Sequence, residues 1–223
     1  MLVLRQGLSI PNIKSVADWT PLNEGANLIA WYKFDTLIGR RGSELNSWGD
    51  SSGYSHDMVQ ATTGEQPVYN AGEIQFNSDD NSNLQTTTQI SLSDKFTIAF
   101  KINASNPDVT ILGDNTTTGE YIKIETEDIL QVVADGNVAS LNSTIPFIGE
   151  RYVVLTRSLD TVNMTVNGVS MNPESLSGTL DIDAIGIRAT DTNSFNGSMY
   201  DIQIYNITDA QLTANVTNYY ANL

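Results

Sequence analysis

The sequence predicts an all-β fold in which two antiparallel sheets pack face to face. Apolar and polar residues alternate along much of the chain, which is the period of a strand with one buried and one solvated face. Clusters of Gly, Asn, Asp, Ser and Pro separate these stretches and favour turns. Short strands with regular turn signals between them are typical of a sandwich or a barrel.

The strands are predicted from this alternation. It is clearest at 27–35, 95–103, 119–127 and 161–168. In the second stretch the phenylalanines and isoleucines share one face, while Thr97, Lys101 and Asn103 are expected to face solvent. Less regular strands are predicted at 73–76, 86–92, 109–113, 129–134, 151–158 and 180–189. Asp-Gly at 135–136 and Asn-Gly at 167–168 are typical hairpin turns.

The C-terminal stretch predicts a last strand followed by a short helix. In the strand, Tyr200, Ile202 and Ile204 alternate and are expected to face the core. Thr208 and Gln211 have the spacing of a capping box, which begins a helix. Apolar residues then recur at helical spacing: Leu212, Val216, Tyr219 and Tyr220. We expect this helix to fold back on the edge of the sandwich.

Residues 1–22 are predicted as an extended N-terminal arm, outside a single domain at 23–223. The arm has no clean periodicity, but it contains several aliphatic side chains: Leu2, Leu4, Leu8, Ile10 and Ile13. Leaving such a side chain in water costs about 1.5–3 kcal/mol. We therefore expect the arm to pack on its own domain, on a second copy or on a larger assembly, and an intermolecular contact is favoured.

Composition argues against several kinds of partner. The 223 residues carry a net charge of −15 and no basic stripe, so neither nucleic acid nor an anionic membrane is expected to bind. No stretch reaches the roughly 18 apolar residues of a membrane span, so membrane insertion is not expected. The chain has no cysteine, which gives no support for an oxidising compartment, and its start does not read as a signal peptide.

Several stretches, in order along the chain, resemble one family. LIAWYKFD followed by WGDSSGYSHDMVQ resembles the opening strand and Asp-x-Ser-Gly turn of laminin-G-like, concanavalin A-type jelly-roll domains. IQFNSDDNSNL resembles the next strand and its Asp-rich loop, and FTIAFKIN the strand after it. YVVLTRSLDTVNMTVNG resembles the central hairpin, and FNGSMYDIQIYNITDAQLTANVTNYY the closing strand and helix. The resemblance runs from about Asn23 and implies two curved antiparallel sheets in jelly-roll topology.

The same fold hosts β-glucanases, whose catalytic carboxylates share one strand face in a Glu-x-Asp-x-x-Glu pattern. Glu125 and Glu127 are the nearest match, but no Asp lies between them and no third carboxylate follows at the right offset. We interpret them as solvated. With no cysteine and with His56 as the single histidine, thiol chemistry and a multi-histidine zinc site are excluded. We therefore expect a protein that is not an enzyme.

Calcium is the candidate cofactor, because Asp and Asn side chains supply the hard oxygens that it prefers. The candidate ligands are Asp79, Asp80 and Asn81 in the loop 77–83, with Asp114 from a second loop. An Asx-rich turn without a metal is the alternative interpretation of the same loop.

A sugar site is the second candidate, since an aromatic ring beside carboxylates suits a saccharide. Trp48 and Tyr54, with Asp50 and Asp57, are the candidate carbohydrate-binding residues, and Tyr69 and Tyr121 are further rim aromatics. Ordinary packing is the alternative for each aromatic, and it is the expectation for Trp31.

Three functions follow from this reading. The first is a structural or recognition component of a phage particle (capsid decoration, tail or fibre), assembled in the host cytoplasm. Its arm would bind other virion proteins or its own copies, and its jelly roll would face solvent and bind a cell-surface glycan. The second is a free, extracellular, calcium-dependent lectin. The third is a glycoside hydrolase of the same fold.

Overall fold

The computed structural model of the chain describes residues 19–70, 72–189 and 193–223. The strands are β1 (Leu28–Lys33), β2 (Ile38–Arg41), β3 (Glu44–Trp48), β4 (Met58–Val59), β5 (Val68–Asn70), β6 (Glu73–Phe76), β7 (Leu84–Leu92), β8 (Lys95–Ala104), β9 (Val109–Gly113), β10 (Tyr121–Thr126), β11 (Ile129–Ala134), β12 (Asn137–Asn142), β13 (Gly149–Ser158), β14 (Thr161–Val166), β15 (Val169–Ser170), β16 (Glu174–Ser175), β17 (Leu180–Ile185) and β18 (Gly197–Tyr205). The α-helix is α1 (Ala210–Ala221), and 3-10 turns lie at Pro21–Asn27, Thr63–Glu65 and Ser78–Asp80. Within these residues, the helices fall short of the length and apolar character that crossing a bilayer requires.

The named strands pair antiparallel and form two layers. In the first layer the order is β14-β13-β8-β18-β1, and β6 pairs with the beginning of β18. In the second layer the order is β12-β11-β10-β9-β17-β7-β4-β3-β2. Strand β5 pairs with both β6 and β3, so the ladder continues from one layer into the other. The molecule is the all-β sandwich that the alternation predicts.

The main core lies between the layers and contains most of the residues predicted to face inward. The fully buried ones on β8 and β10 are Phe96, Ile98, Phe100, Ile102, Ile122 and Ile124. Thr97 differs from its prediction, because it is fully buried instead of facing solvent. It lies under the segment before α1, where its hydroxyl donates to Ile207 O at 2.8 Å.

Helix α1 folds back as predicted, but it lies on the outer face of the first layer rather than at its edge. A second apolar cluster forms beneath it: Leu28, Trp31, Ala99, Val154, Tyr205, Leu212, Val216 and Tyr220. The predicted cap is wrong by one residue, because Asp209 and not Thr208 is the N-cap. An Asp209 Oδ1 atom accepts from Leu212 N at 2.7 Å, which satisfies a first-turn N–H that has no partner within the helix.

A buried carboxylate ties this helix to the sheet. Asp201 on β18 is fully buried and accepts four hydrogen bonds. The donors are Trp31 Nε1 at 2.9 Å, Gln203 Nε2 at 2.9 Å, Tyr220 OH at 2.7 Å and Tyr219 OH at 3.1 Å. Burial raises the pKa of Asp201 to about 6, although these hydrogen bonds act in the opposite direction. One side chain therefore joins β1, β18 and α1.

The first described residues lie against the same helix. Trp19 Nε1 donates to Glu24 Oε1 at 3.0 Å, and the Trp19 ring meets the Tyr219 ring edge-on at 6.2 Å. Trp19 falls within the stretch predicted as the arm and contacts the domain. The residues predicted to anchor the arm lie outside the described residues: Leu2, Leu4, Leu8, Ile10 and Ile13.

A β-bulge changes which residues of the last strand face the core. The register between β18 and β8 shifts between Met199 and Asp201. Because one extra residue reverses the alternation, Met199 is fully buried and Tyr200 is only half-buried. The expectation that Tyr200 faces the core is therefore wrong, whereas Ile202 and Ile204 are buried as predicted.

The raised pKa of Asp201 predicts a pH-dependent contribution to stability. An acid whose pKa is higher in the folded state contributes stability that is fully present below its unfolded value, here 3.8, and is lost as pH rises through about 6. Asp201→Asn cannot ionise. The unfolding free energy of the wild type relative to this variant should therefore fall by roughly 2 kcal/mol between pH 4 and pH 7. Urea unfolding of both proteins across this range measures the difference, and a constant difference would contradict the assignment.

Candidate functional site

Strand register brings acidic residues together at one end of the second layer. Gly113, the last residue of β9, pairs with Tyr121 of β10 on one side and with Ala184 of β17 on the other. Residues next to these positions therefore lie side by side. They include Asp114 after β9 and Glu120 before β10, and Asp114 N donates to Glu120 O at 3.0 Å.

Three carboxylates converge there, and we call Asp114, Glu120 and Asp181 the acidic cluster. One carboxylate oxygen from each lies within 4.8 Å of the other two. Asp114 is 1% exposed and Glu120 is 7% exposed, while Asp181 is half-buried. Asp181 Oδ1 is itself buried and has no hydrogen-bond partner among the described residues. A buried oxygen without a donor is costly unless a cation or another donor reaches it.

Hydrogen bonds hold Asp114 in its charged form. Its Oδ1 accepts from Thr116 N at 2.5 Å, Thr116 Oγ1 at 2.6 Å and Thr117 N at 3.2 Å, and its Oδ2 accepts from Gln89 Nε2 at 2.9 Å. Burial by itself would raise the pKa of Asp114, but the hydrogen bonds from Thr116, Glu120 and Thr117 lower it below its usual value. The loop 114–117 is thus built around this carboxylate.

Glu120 has the opposite shift. Burial raises its pKa to about 7, and the hydrogen bond to Asp114 and the charges of Asp181 and Asp114 add to this effect. In this arrangement one proton is held between neighbouring acids. A divalent cation placed among them would compensate the same charge, so the donor set fits a hard cation.

Further polar groups surround the cluster. Asp183 Oδ1 accepts from Asn115 N at 2.6 Å, and burial raises the pKa of Asp183. Tyr121, the residue after Glu120, is half-buried, and the Arg188 guanidinium lies 3.8 Å from the centre of its ring. Tyr121 OH also lies 3.4 Å from Gln131 Oε1, to which it donates. Its role as a rim aromatic stays a prediction.

The predicted calcium ligands are divided between two places. Asp114 belongs to the acidic cluster, but Asp79, Asp80 and Asn81 are not among the carboxylates and neighbours that converge there. They are exposed residues of a 3-10 turn that ends at Asn81 in the left-handed conformation. Asp80 Oδ2 accepts from Asn77 Nδ2 at 2.6 Å. Their geometry is that of an Asx-rich turn, the alternative interpretation of this loop.

Asp50, predicted to bind sugar, instead organises a turn. It is 6% exposed. Its Oδ1 accepts from Trp31 N at 2.9 Å and Ser52 N at 2.8 Å, and its Oδ2 accepts from Ser52 Oγ at 2.7 Å and His56 N at 3.2 Å. Asp57 Oδ1 in turn accepts from Asp50 N at 2.8 Å. These bonds fasten the Asp-x-Ser-Gly turn to β1.

The platform role predicted for Trp48 is also corrected. Trp48 has no exposed surface, and its Nε1 donates to Lys33 O at 2.9 Å. A ring with no exposed face offers nothing for a sugar to stack on. Tyr54 is 47% exposed and Asp57 is exposed, so these two predicted residues do reach the surface. Trp31 packs, as expected, beneath α1.

Sequence reasoning missed Glu120 and Asp181. The loop 113–120 is rich in turn-forming residues and has a carboxylate near each end, Asp114 and Glu120. If the loop closes a hairpin, these two carboxylates must lie close together, and this was the available signal. Asp181 is distant in sequence and joins the cluster only through the pairing of β17 with β9. Glu125, considered for catalysis, forms an ion pair with Lys123 at 3.1 Å, and Glu127 is exposed.

No family model matches this sequence, and no curated protein matches it. Solved structures do match the fold. The binding domain of Paraclostridial mosquitocidal protein 1 aligns with a TM-score of 0.62 at 16% identity, covering 90% of this chain and 53% of that one. Domain 4 of an extracellular arabinanase from Geobacillus stearothermophilus, solved with arabinotriose, aligns with a TM-score of 0.59 at 16% identity. The alignment covers 86% of this chain and 97% of that domain.

A third similar structure belongs to botulinum neurotoxin type C, whose cell entry depends on interaction with two ganglioside molecules. It aligns with a TM-score of 0.51 at 16% identity, covering 90% of this chain and 53% of that one. This chain thus spans about half of two of these proteins and nearly all of the arabinanase domain. At these identities the likeness shows the jelly-roll sandwich fold.

The turn built on Asp50 predicts a specific loss of stability. Asp50→Ala leaves the buried N–H groups of Trp31 and His56 without their acceptor, at about 1–3 kcal/mol each. We expect the free energy of unfolding to fall by roughly 3 kcal/mol or more. Asp57→Ala is the matched control, because it removes one acceptor carried by an exposed side chain. If urea unfolding shows equal losses of unfolding free energy for the two variants, the Asp50 hydrogen bonds stabilise the fold no more than the single bond of Asp57 does.

Proposed function

We propose that this chain is a non-enzymatic glycan-binding module that holds a calcium ion in the acidic cluster. The observation that carries the proposal is the convergence of three carboxylates, each with one oxygen within 4.8 Å of the other two, one of which, Asp181, has a buried Oδ1 without a hydrogen-bond partner among the described residues. Asp114, Glu120 and Asp181 would be the ligands. Two of them, Glu120 and Asp181, are additions to the ligands predicted from the sequence.

Charge supports a cation at this place. Like charges at such separation repel strongly when water is partly excluded. Among the described residues, the ion pairs of lysine are made with acids outside the cluster: Asp35, Glu150, Asp108 and Glu125. These lysines therefore do not compensate the charge of the cluster.

Calcium also leaves room for a ligand. It takes six to eight oxygens, more than three carboxylates supply unless all bind through both oxygens. Waters or neighbouring hydroxyls of a sugar would complete the shell. Tyr121, the residue after Glu120, has a half-buried ring with the Arg188 guanidinium over one face, and its other face would be the candidate contact for a sugar ring.

The structural neighbours support a glycan as the ligand. One was solved with arabinotriose, and the cell entry of another depends on gangliosides. Both similarities are in fold only, so they do not indicate which sugar this chain would bind.

A glycoside hydrolase is the second candidate, favoured by one observation. The pKa of Glu120 is raised to about 7 while that of Asp114 is lowered, which is the pattern of an acid and base pair. However, Asp114 is 1% exposed and both of its oxygens accept hydrogen bonds. Such a carboxylate is poorly placed to attack a sugar, so binding is preferred over hydrolysis.

Thermal unfolding in calcium chloride tests the cation site. A calcium concentration one hundred times Kd adds about 2.7 kcal/mol, which raises Tm by roughly 5–10 °C for a chain of this size. Glu120→Gln should remove the rise while preserving the apo fold, because Gln mimics the protonated acid. Glu127→Gln, on an exposed acid at the opposite end of β10, should retain the calcium-dependent rise in Tm. A wild type that calcium does not stabilise, or an equal rise in Glu120→Gln, would overturn the proposal.

A glycan array probed with and without EGTA then tests the ligand. Binding that depends on calcium and is lost in Glu120→Gln supports the module, and sugar release from bound glycans would favour the hydrolase.

We also propose, from sequence alone, that the arm docks the module onto a phage particle. Deleting residues 1–18, which lie outside the described residues, should abolish incorporation into particles while leaving glycan binding unchanged. Particle incorporation of the truncated chain, measured by mass spectrometry of purified particles, would contradict the docking role.

A further inference from the structure

The outer face of the first layer changes character along its strands. Under α1 it is apolar, with Ala99 and Val154 packed against the helix. Farther along the same strands the outward-facing side chains are polar. This second region is not covered by α1, and the calcium proposal does not use it.

Strand register places four polar residues in a row across this region. Ser198 on β18 pairs with Gln75 on β6 and with Asn103 on β8, and Asn103 pairs with Glu150 on β13. Neighbouring strands lie about 4.8 Å apart, so the row is roughly 15 Å long. We call these four residues the polar strip. Residues directly opposite one another point to the same face, so the four side chains share one face. Glu150 is exposed, Gln75 and Asn103 are half-buried, and Ser198 is buried at 7% exposure.

Two tyrosines and a lysine border the strip. Lys101 pairs with Tyr152 across the sheet, and its Nζ lies 3.2 Å from Glu150 Oε1 and 5.6 Å from the centre of the Tyr200 ring. Tyr200 OH donates to Glu73 Oε2 at 3.3 Å. Both tyrosines are half-buried, so part of each ring is accessible. The bulge in β18 is what turns Tyr200 outward.

The strip joins two depressions. A cleft of about 430 Å³ at one end is lined by residues including Lys101, Glu150 and Tyr152. A cleft of about 330 Å³ at the other end is lined by residues including Gln75, Ser198 and Asn196. Both have sizes typical of small-ligand sites.

The chemistry of the strip selects a class of ligand. Amides and hydroxyls both donate and accept, which matches the hydroxyl groups of a sugar. Tyrosine rings add apolar faces with a polar tip. Lys101 is paired with Glu150, so these two charges compensate each other. One further charged side chain lines each end cleft, Arg151 in the first and Asp80 in the second, and their signs are opposite. The length and the two end clefts suit a short chain rather than a single sugar.

We propose that the polar strip is a second glycan-binding surface, which takes a neutral oligosaccharide without calcium. This inference rests on the proposed function as a glycan-binding module. It differs from that function in its location, on the opposite layer from the acidic cluster, and in its independence from the cation.

An array of neutral oligosaccharides, probed with the full chain in EGTA, tests the surface. We expect binding that survives EGTA and Glu120→Gln, and that Asn103→Ala weakens at least tenfold. Asn163→Ala, on an exposed position of β14 in the same layer, is the matched control and should bind like the wild type. Gln75→Ala at the end of the row gives a second test should Asn103→Ala unfold, and thermal unfolding identifies that case.

The outcomes separate the two sites. Binding abolished by EGTA and by Glu120→Gln overturns the second surface and leaves the calcium site standing. Binding that needs Asn103 but is indifferent to EGTA and to Glu120→Gln supports the second surface, and the calcium site then stands or falls by its own thermal-unfolding test. Binding in EGTA that both Asn103→Ala and Gln75→Ala leave unchanged overturns the strip, and no binding in either condition overturns both proposals.

Discussion

The burial of carboxylates is the constraint on which this structure depends. An ionised acid leaves water at a cost of several kcal/mol unless donors or a cation compensate it. This strongly acidic chain buries Asp201, Asp50 and Asp114, and each accepts four hydrogen bonds from side chains or backbone. Asp181 is different, because its buried Oδ1 has no donor among the described residues. Asp201 and Asp50 hold elements of the fold together, whereas Asp114 and Asp181 belong to the acidic cluster that we assign to binding.

The satisfied acids connect segments that are far apart in sequence. Asp201 joins the first and last strands to the C-terminal helix, and Asp50 fastens the turn after β3 onto β1. Asp50 provides the acceptor for backbone N–H groups of β1 and of the turn, and Asp201 provides the acceptor for two tyrosines of α1. By holding β18 under the helix, Asp201 also fixes the strand whose bulge turns Tyr200 outward. The same bulge therefore serves the packing of one half of the layer and the polar surface of the other.

Much of the sandwich could be predicted from sequence, because period-two alternation reports directly on burial. Strands β6, β9 and β11 begin and end where predicted. The hairpin of β2 and β3 was missed, since its stretch lacks clean alternation. Side-chain roles were harder to predict. The bulge before Asp201 reverses which side chains of β18 face the core. Trp48 is buried in the core although its neighbours in sequence are polar. The partners of Asp114 are set by the register between strands that are distant in sequence, and no local pattern reports that register.

Anomalous diffraction from crystals grown in calcium chloride tests the central claim most directly. The account predicts one strong peak about 2.3–2.6 Å from oxygens of Asp114, Glu120 and Asp181. A peak in the loop 77–83 instead, or no peak among the three carboxylates at millimolar calcium, would contradict it.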